Sequence, residues 1–403
     1  MSTNSRKNVA VIGAGVVGTA IALWLQRRGM RVTLLDRAQP GSGCSSGNSG
    51  AISPGSVAPL AMPGVIAAVP QMLFDDESPL YIPPTYLPVA SPWLLRFVAS
   101  ARPASVARGA ARLDALHRGA VDMHRQLTAE LGVSELFLPA GHLHLYPDDR
   151  SLAKDSAGWR LREAYGYHPQ RLDRGQVADM EPRVSDRYRI GMYLEDHATI
   201  LNPKRYVEAM AQAFVHAGGV FQTGEVTGLE RGPQGWTLAG VTCEPHEHVV
   251  VAAGAWSRTI LAPLGISLPL ESQRGYHVEF EGLRDIVSRT VVLADKKIFV
   301  TPMEAGLRVG GTVEIAGLKR QPDARRAAVL ERIAKANFEG LEGRTAKVWM
   351  GHRPCMPDSV PVIGQAPGAP KLWMAVGHGH LGLTDSLPTA ALLADQICGA
   401  EAG

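Results

Sequence analysis

Asn8-Val9-Ala10-Val11-Ile12-Gly13-Ala14-Gly15-Val16-Val17-Gly18-Thr19-Ala20-Ile21-Ala22-Leu23-Trp24-Leu25 reads as a strand, a turn and a helix in immediate succession. Asn8 to Ile12 is a short apolar run of strand length, and Val16 to Arg28 carries apolar residues at helical spacing, Val17, Ile21, Leu25 with Ala20 and Trp24. Between them, Gly13 permits a tight turn, Gly15 lets the backbone approach a pyrophosphate, and Gly18 allows helix and strand to pack closely. The helix N-terminus, with Val16 and Val17 in its first turn, faces the phosphate charge. A second strand, Arg31 to Leu35, ends at Asp36, whose carboxylate is placed to accept hydrogen bonds from a ribose diol, with Arg37 beside it. The order strand, turn, helix, strand, acid predicts a Rossmann-type unit that binds a dinucleotide.

The chain has 403 residues, enough for two domains that share an interface. With 45% hydrophobic and 20% charged residues it has the composition of a folded globular protein, and a net charge of +3 is too small to mark a nucleic-acid binder. Cys44, Cys243, Cys355 and Cys398 lack the paired spacing of a zinc site or redox pair, which fits reduced thiols in a cytoplasmic protein. Arg6 and Lys7 before an apolar stretch imitate a secretory signal, but the three glycines and the absence of a small-residue cleavage site before Arg27 argue against one. No uninterrupted apolar run is long enough to span a bilayer.

NAD and FAD share the glycine fingerprint, so the choice between them rests on the next segment. Residues 41–55, Gly-Ser-Gly-Cys-Ser-Ser-Gly-Asn-Ser-Gly-Ala-Ile-Ser-Pro-Gly, are rich in small residues and side-chain donors. Ser45, Ser46, Asn48, Gly50, Ala51 and Ile52 suit closure over a second phosphate and a flavin ring; the alternative is an ordinary loop of the same composition.

Taken with motifs near the C-terminus, this chain resembles the D-amino acid oxidase superfamily of FAD-dependent oxidoreductases, and within it the bacterial D-amino acid dehydrogenase small subunit. The resemblance rests on Val11 to Gly18, Asn48 to Gly55, Arg308-Val309-Gly310-Gly311-Thr312-Val313-Glu314, Gly351-His352-Arg353-Pro354, Pro361-Val362-Ile363-Gly364 and Gly377-His378-Gly379-His380-Leu381-Gly382. It runs over nearly the whole chain. It implies an α/β fold with a Rossmann-type FAD-binding domain assembled from residues 1–60, 196–268 and 346–403. A discontinuous substrate-binding domain, 61–195 and 269–345, is then built on a mainly antiparallel sheet with helices. Val249 to Ser257 looks like the return to the cofactor domain, bringing Ala253 and Gly254 to FAD, with Val226 nearby.

Local patterns agree with two sheets. Asn202-Pro203 opens a helix ended by Gly218-Gly219, and Pro322 to Phe338 carries Val329, Leu330, Ile333, Ala334 and Phe338 on one face. Tyr276 to Phe280, Val291 to Leu293, Ile298 to Thr301 and Leu307 to Gly310 are strand candidates.

Oxidation of an amino acid by a flavin moves a hydride from Cα to flavin N5 and leaves an imine, which hydrolyses to a keto acid and ammonia. The protein then has chiefly to hold the carboxylate and aim Cα. A planar guanidinium suits that task, and the resemblance assigns it to Arg353; the alternative is a surface ion pair. Tyr276 is a second candidate donor to the carboxylate, or an ordinary strand tyrosine, and His380 is expected in the substrate pocket. Gly379, Leu381, Gly382, Leu383 and Thr384 open a helix whose amides would face the flavin. His378 and His380 lack companions for a metal site, so none is expected. Asp385 stands where an uncharged residue is expected in the dehydrogenase motif. Cys355 does not sit where relatives attach flavin covalently, so noncovalent FAD is expected.

The resemblance further implies an amino acid substrate, D-proline or hydroxy-D-proline among the candidates, and a quinone or other electron-transfer acceptor. A glycine or sarcosine oxidase using oxygen and a flavin-binding protein without turnover are the alternatives. Residues 54–100 form an apolar, proline-broken segment suited to a lid or a membrane contact, with Trp93, Leu94, Leu95, Phe97 and Val98 next to Arg96, Arg102, Arg108, Arg112, Arg118 and Arg125. That pairing suits an anionic membrane surface, while composition alone favours a solvated helix packed on the domain; the resemblance to dehydrogenases that pass electrons to a quinone implies peripheral attachment to the cytoplasmic face of the inner membrane. Oligomeric state is left open.

Overall fold

The computed structural model describes residues 7–63 and 80–399. Asn8–Ile12 forms the expected strand and is inserted between Arg31–Asp36 and His248–Val251, parallel to both. Successive side chains leave on opposite faces, so Val9 and Val11 join one apolar cluster and Ala10 and Ile12 another. The first cluster is covered by the helices Val16–Arg27, Pro203–His216 and Gly382–Gly399, the second by the hairpin Gly228–Gly232/Gly235–Ala239 and the helix Ser257–Leu261. The complete sheet runs Val220–Thr223, Arg31–Asp36, Asn8–Ile12, His248–Val251, Leu372–Val376, Val362–Gln365, parallel except for the last strand.

The glycine turn has a steric basis. Gly13 has φ +108°, and a Cβ on Gly18 would overlap the Gly13 carbonyl oxygen. A side chain at either position would push the helix off the strand. The helix Pro203–His216 starts as its sequence predicts, with the Asn202 side chain accepting from the Arg205 amide at 3.0 Å and Pro203 in the first turn.

The second sheet has ten strands among the described residues and is mainly antiparallel. At its centre Glu271–Glu281 pairs with Gly306–Gly310, with Val313–Ile315 and, over nine residues, with Lys347–Cys355. The boundary expected at residue 346 is therefore corrected: backbone pairing places 347–355 in the larger sheet, and the chain rejoins the parallel sheet at Val362. The predicted helix near 322–338 is Ala324–Asn337, capped by the Asp323 side chain, and it buries Val329, Leu330, Ile333 and Ala334 against this sheet.

Of the expected 54–100 segment, Val65, Ile66, Val69, Met72, Leu73 and Phe74 lie outside the described residues. Leu87–Ser100 is a helix that buries Trp93, whose indole N–H donates to the Cys355 carbonyl at 3.2 Å. Leu87, Val89, Leu95 and Val98 remain exposed on it. The arginine-rich region beyond forms the helices Pro103–His117 and Ala120–Glu130.

Candidate active site

A cavity of about 450 Å³ opens at the carboxyl ends of the parallel strands, where open α/β sheets bind their ligands. Of the residues assigned to the cofactor from sequence, Gly13, Gly15, Val16, Val17, Asp36, Arg37, Ser45, Asn48, Val226, Ala253, Gly254, Gly379, Gly382 and Leu383 line it. The Asp36 carboxylate accepts from the amides of Ala14 at 2.7 Å and Ala38 at 3.0 Å, one on each oxygen, leaving each oxygen a lone pair for a ribose hydroxyl. The Ser45 hydroxyl accepts from the Val16 amide at 2.9 Å and so caps the first helix, which has no side-chain cap of its own. Helix N-terminus, open backbone at Gly15 and a carboxylate at the strand end together fit the pyrophosphate and ribose of a dinucleotide.

The other assigned residues build the walls rather than line the cavity. Gly18 is taken up by helix packing on Gly13. Ala51–Ile52 pairs with Ala198–Thr199, Gly50 donates to the Asn48 side chain at 2.8 Å, and Thr384 Oγ1 accepts from the Ser53 amide at 3.1 Å. Leu381 is buried beside His378 and His380. The carbonyls of Ser46 and Asn48 accept from Arg308 Nη1 at 3.1 and 2.5 Å, while Gly47 accepts from His277 Nδ1 at 3.1 Å. Three successive carbonyls thus fasten the loop to the larger sheet.

Further lining comes from Ser42, Cys44, Glu225, Thr227, Trp256, Thr259, Ile260, His352 and Pro354, none of them assigned to the cofactor individually from sequence. The rule that ligands contact the loops after parallel strands would have found 224–227 and 254–260, which follow Thr223 and Val251. His352 and Pro354 carry no such signal, because they arrive on the other sheet. Arg37 lies over the Trp256 ring at 4.2 Å, and Trp256 meets His352 edge-on at 5.3 Å.

Arg353 stands opposite Gln273, and its guanidinium lies across Gly275, where any Cβ would overlap it. Nη1 donates to the Thr312 carbonyl at 3.0 Å, and among the described residues the side chain has no carboxylate partner. Burial, followed by the Arg353 charge, brings the His380 pKa down to about 4. His380 lines a small recess with Cys355, Met356 and Leu381, next to the main cavity, with which the recess shares Gly377, His378 and Gly379. As a residue His380 is exposed, and its lowered pKa leaves the imidazole neutral. His277, stacked on Trp349 at 4.9 Å, is pushed down to about 3 by burial and then by Arg308. Its Nδ1 faces a carbonyl, which only accepts, so Nδ1 carries the proton of a neutral ring.

Tyr276 is not brought to this cluster. Strand alternation puts it on the face opposite Gly275 and Arg353. Its hydroxyl donates to Glu314 Oε2 at 2.6 Å and accepts from the Asp323 amide at 2.8 Å, so its one proton is committed. The expectation that it grips the substrate carboxylate is corrected on that ground. Burial raises the Cys44 thiol and pushes Cys355 up to about 12, keeping both protonated. Among the described residues no group of three or more side chains is arranged to hold a metal.

The cavity fits a dinucleotide, and the strand that carries His352 and Pro354 into its wall also carries Arg353, which has no carboxylate partner among the described residues. The family model for FAD dependent oxidoreductases, DAO, matches residues 8–396, and the chain belongs to that family. It is 38% identical to a D-amino-acid oxidase of Bradyrhizobium diazoefficiens, over 98% of this chain and 96% of that protein. It is 31% identical to a D-amino acid dehydrogenase of Methylobacterium nodulans, over 97% and 95%. Its fold matches glycine oxidase from Geobacillus kaustophilus with a TM-score of 0.75 at 23% identity, covering 98% of this chain and 95% of that one. L-proline dehydrogenase from P. horikoshii matches with 0.74 at 18% identity, covering 98% and 94%.

Proposed function

We propose that the chain is a D-amino acid dehydrogenase that binds FAD noncovalently in the 450 Å³ cavity. The observation that carries this reading is Arg353, held over Gly275 within electrostatic reach of His380 and without a carboxylate partner among the described residues. Its free N–H groups grip the substrate carboxylate in a two-bond fork, which orients Cα. His380, neutral at physiological pH, accepts a hydrogen bond from the substrate amine once the ammonium has released its proton to solvent, and so helps orient Cα. Bound FAD supplies the two-electron acceptor for the Cα hydride. The wall formed by Cys355, Met356, His378 and Leu381 excludes water from the carboxylate end. The imine product hydrolyses to a keto acid; a cyclic substrate such as D-proline or hydroxy-D-proline would give a cyclic imine.

Anaerobic mixing of the purified protein with D- and L-amino acids, both prolines, glycine and sarcosine tests the assignment. Bleaching of the flavin by D-amino acids alone supports it, and bleaching confined to glycine and sarcosine points to an amine oxidase. No bleaching by any of them points to a flavin-binding protein without turnover. Acid precipitation should release the flavin, because protonated Cys44 and Cys355 are poor nucleophiles.

The similarity to a D-amino-acid oxidase favours a second reading for the electron acceptor, oxygen in place of a quinone. Hydrogen peroxide yield per turnover, measured against dye and quinone-analogue reduction, separates the two. Among the described residues no helix is long and apolar enough to cross a membrane. Exposed Leu87, Val89, Leu95 and Val98 beside Arg96 and Arg102 support peripheral attachment at the cytoplasmic face of the inner membrane. Flotation with anionic vesicles tests it, and loss of flotation in Leu95→Glu is the expected result.

A further inference from the structure

Asp385 lies in the first turn of Gly382–Gly399, is fully buried, and among the described residues its carboxylate has no donor other than the ring of His117. The same turn carries Gly382 and Leu383 into the cofactor cavity. A bare carboxylate at this place would cancel the positive end of the helix just where the cavity wall presents it. Facing Asp385 from the helix Pro103–His117 is His117, also fully buried, with Nε2 3.0 Å from Oδ1. The other ring nitrogen, Nδ1, lies 3.2 Å from the Pro54 carbonyl. A carbonyl only accepts, so Nδ1 carries a proton, and Nε2 and Oδ1 must share a second one. With that proton in place the pair has no net charge.

We propose that His117 is a positioning residue for the redox reaction: its imidazolium is the counter-ion of Asp385, so that the Gly382–Gly399 N-terminus presents an uncancelled positive end to the flavin and raises its electron affinity. Three other imidazoles lie within the electrostatic reach of Asp385, namely His124, His378 and His380, and burial lowers the pKa of each. His117 is the exception. Burial lowers it too, but the Asp385 carboxylate, the Pro54 carbonyl and the more distant Asp114 offset that and raise it. His124 is held neutral by burial, with its ring nitrogens against the Tyr206 hydroxyl and the Leu383 carbonyl, and His378 bonds the Thr389 hydroxyl. Asp114 is already paired with Arg118 at 2.6 Å. His117 therefore has no competitor for Asp385 among these groups, and it also ties the end of the flavin loop at Pro54 to the C-terminal helix.

The inference rests on FAD occupying the cavity beside Gly382. Sulfite adds to oxidised flavin and leaves negative charge on it, so its dissociation constant reads the electrostatic field at the flavin in the resting holoenzyme. In His117→Gln at pH 8 Asp385 loses its counter-ion, and sulfite should bind about tenfold more weakly, the order of effect of one charge over roughly 10 Å at an effective dielectric of about 20. The double variant His117→Gln/Asp385→Asn should return to within about threefold of the parent. Asp385→Asn alone should also stay near the parent, because a neutral amide then faces a neutral imidazole. Unchanged sulfite affinity in a yellow His117→Gln protein overturns the proposal, as does a tenfold gain in Asp385→Asn, which would mean the carboxylate is uncompensated. If His117→Gln fails to fold, the Asp385→Asn result decides alone. A protein that cannot take up FAD in any form refutes the cofactor reading instead.

Discussion

Arg353 lies across Gly275, and no side chain fits between them. The two residues belong to strands paired antiparallel over nine positions, with Gly275 opposite Gly351 and Arg353 opposite Gln273. The guanidinium is therefore aimed by the pairing of two strands that are distant in sequence, and by the missing side chain at 275.

Gly275→Ala should displace the guanidinium without disturbing the cofactor cavity. We expect the KM for the preferred D-amino acid to rise about tenfold, the equivalent of roughly 1.4 kcal/mol of lost binding, with flavin content unchanged. Steady-state kinetics on flavin-replete protein decide; an unaltered KM would mean that Arg353 does not hold substrate.

Replacing Arg353 itself separates charge from shape. Lysine keeps the charge but not the two-bond fork, so Arg353→Lys should lower kcat/KM by about ten- to a hundredfold, the worth of a charged hydrogen bond at roughly 1.5–3 kcal/mol. Arg353→Ala should lose more. The measurement is kcat/KM together with a benzoate or other carboxylate titration, which should weaken in parallel.

Arg308 holds Ser46 and Asn48 through their carbonyls and is itself held by Glu279 at 2.7 and 2.8 Å. Arg308→Gln removes two of the three carbonyl contacts that fasten this loop to the larger sheet, leaving the one from His277. FAD affinity should fall about ten- to a hundredfold, from loss of charge-assisted bonds worth roughly 1.5–3 kcal/mol. Fluorescence titration of apoprotein with FAD tests this, and an unchanged Kd would show that the loop is shaped without the arginine.

Stability should depend on pH through buried neutral histidines. Burial lowers His124 and His142 from 6.5 to about 4, and His277 to about 3. The unfolded chain takes up these protons first as pH falls, so the stability they contribute is present above about 6.5 and is lost between there and about 4. Each of these enclosed groups contributes about 3–5 kcal/mol at neutral pH. His117, raised rather than lowered, works in the opposite direction. Thermal melts should be level from pH 7 to 8 and fall steeply below 6; a flat profile down to pH 5 would contradict the neutral assignments.

The sequence alone determined the cofactor end. Gly13, Gly15, Gly18 and Asp36 are legible because their chemistry is local: a turn, a helix N-terminus and a strand end lie within one βαβ unit, and their spacing is the geometry. The C-terminal motifs pointed to Arg353 through family resemblance, without showing what surrounds it. Only the tertiary structure decided which residues share its face. Tyr276 is one position from Gly275, yet alternation sends it to Glu314 on the far side, while His380 arrives from the parallel sheet. Asp385 stood out in the sequence as a departure from the motif, but its pairing with His117, far away in the chain, carried no sequence signal. Strand register and burial in a shared core are long-range properties, set by which segments pack together, and they choose the partners of a charge that local sequence leaves open.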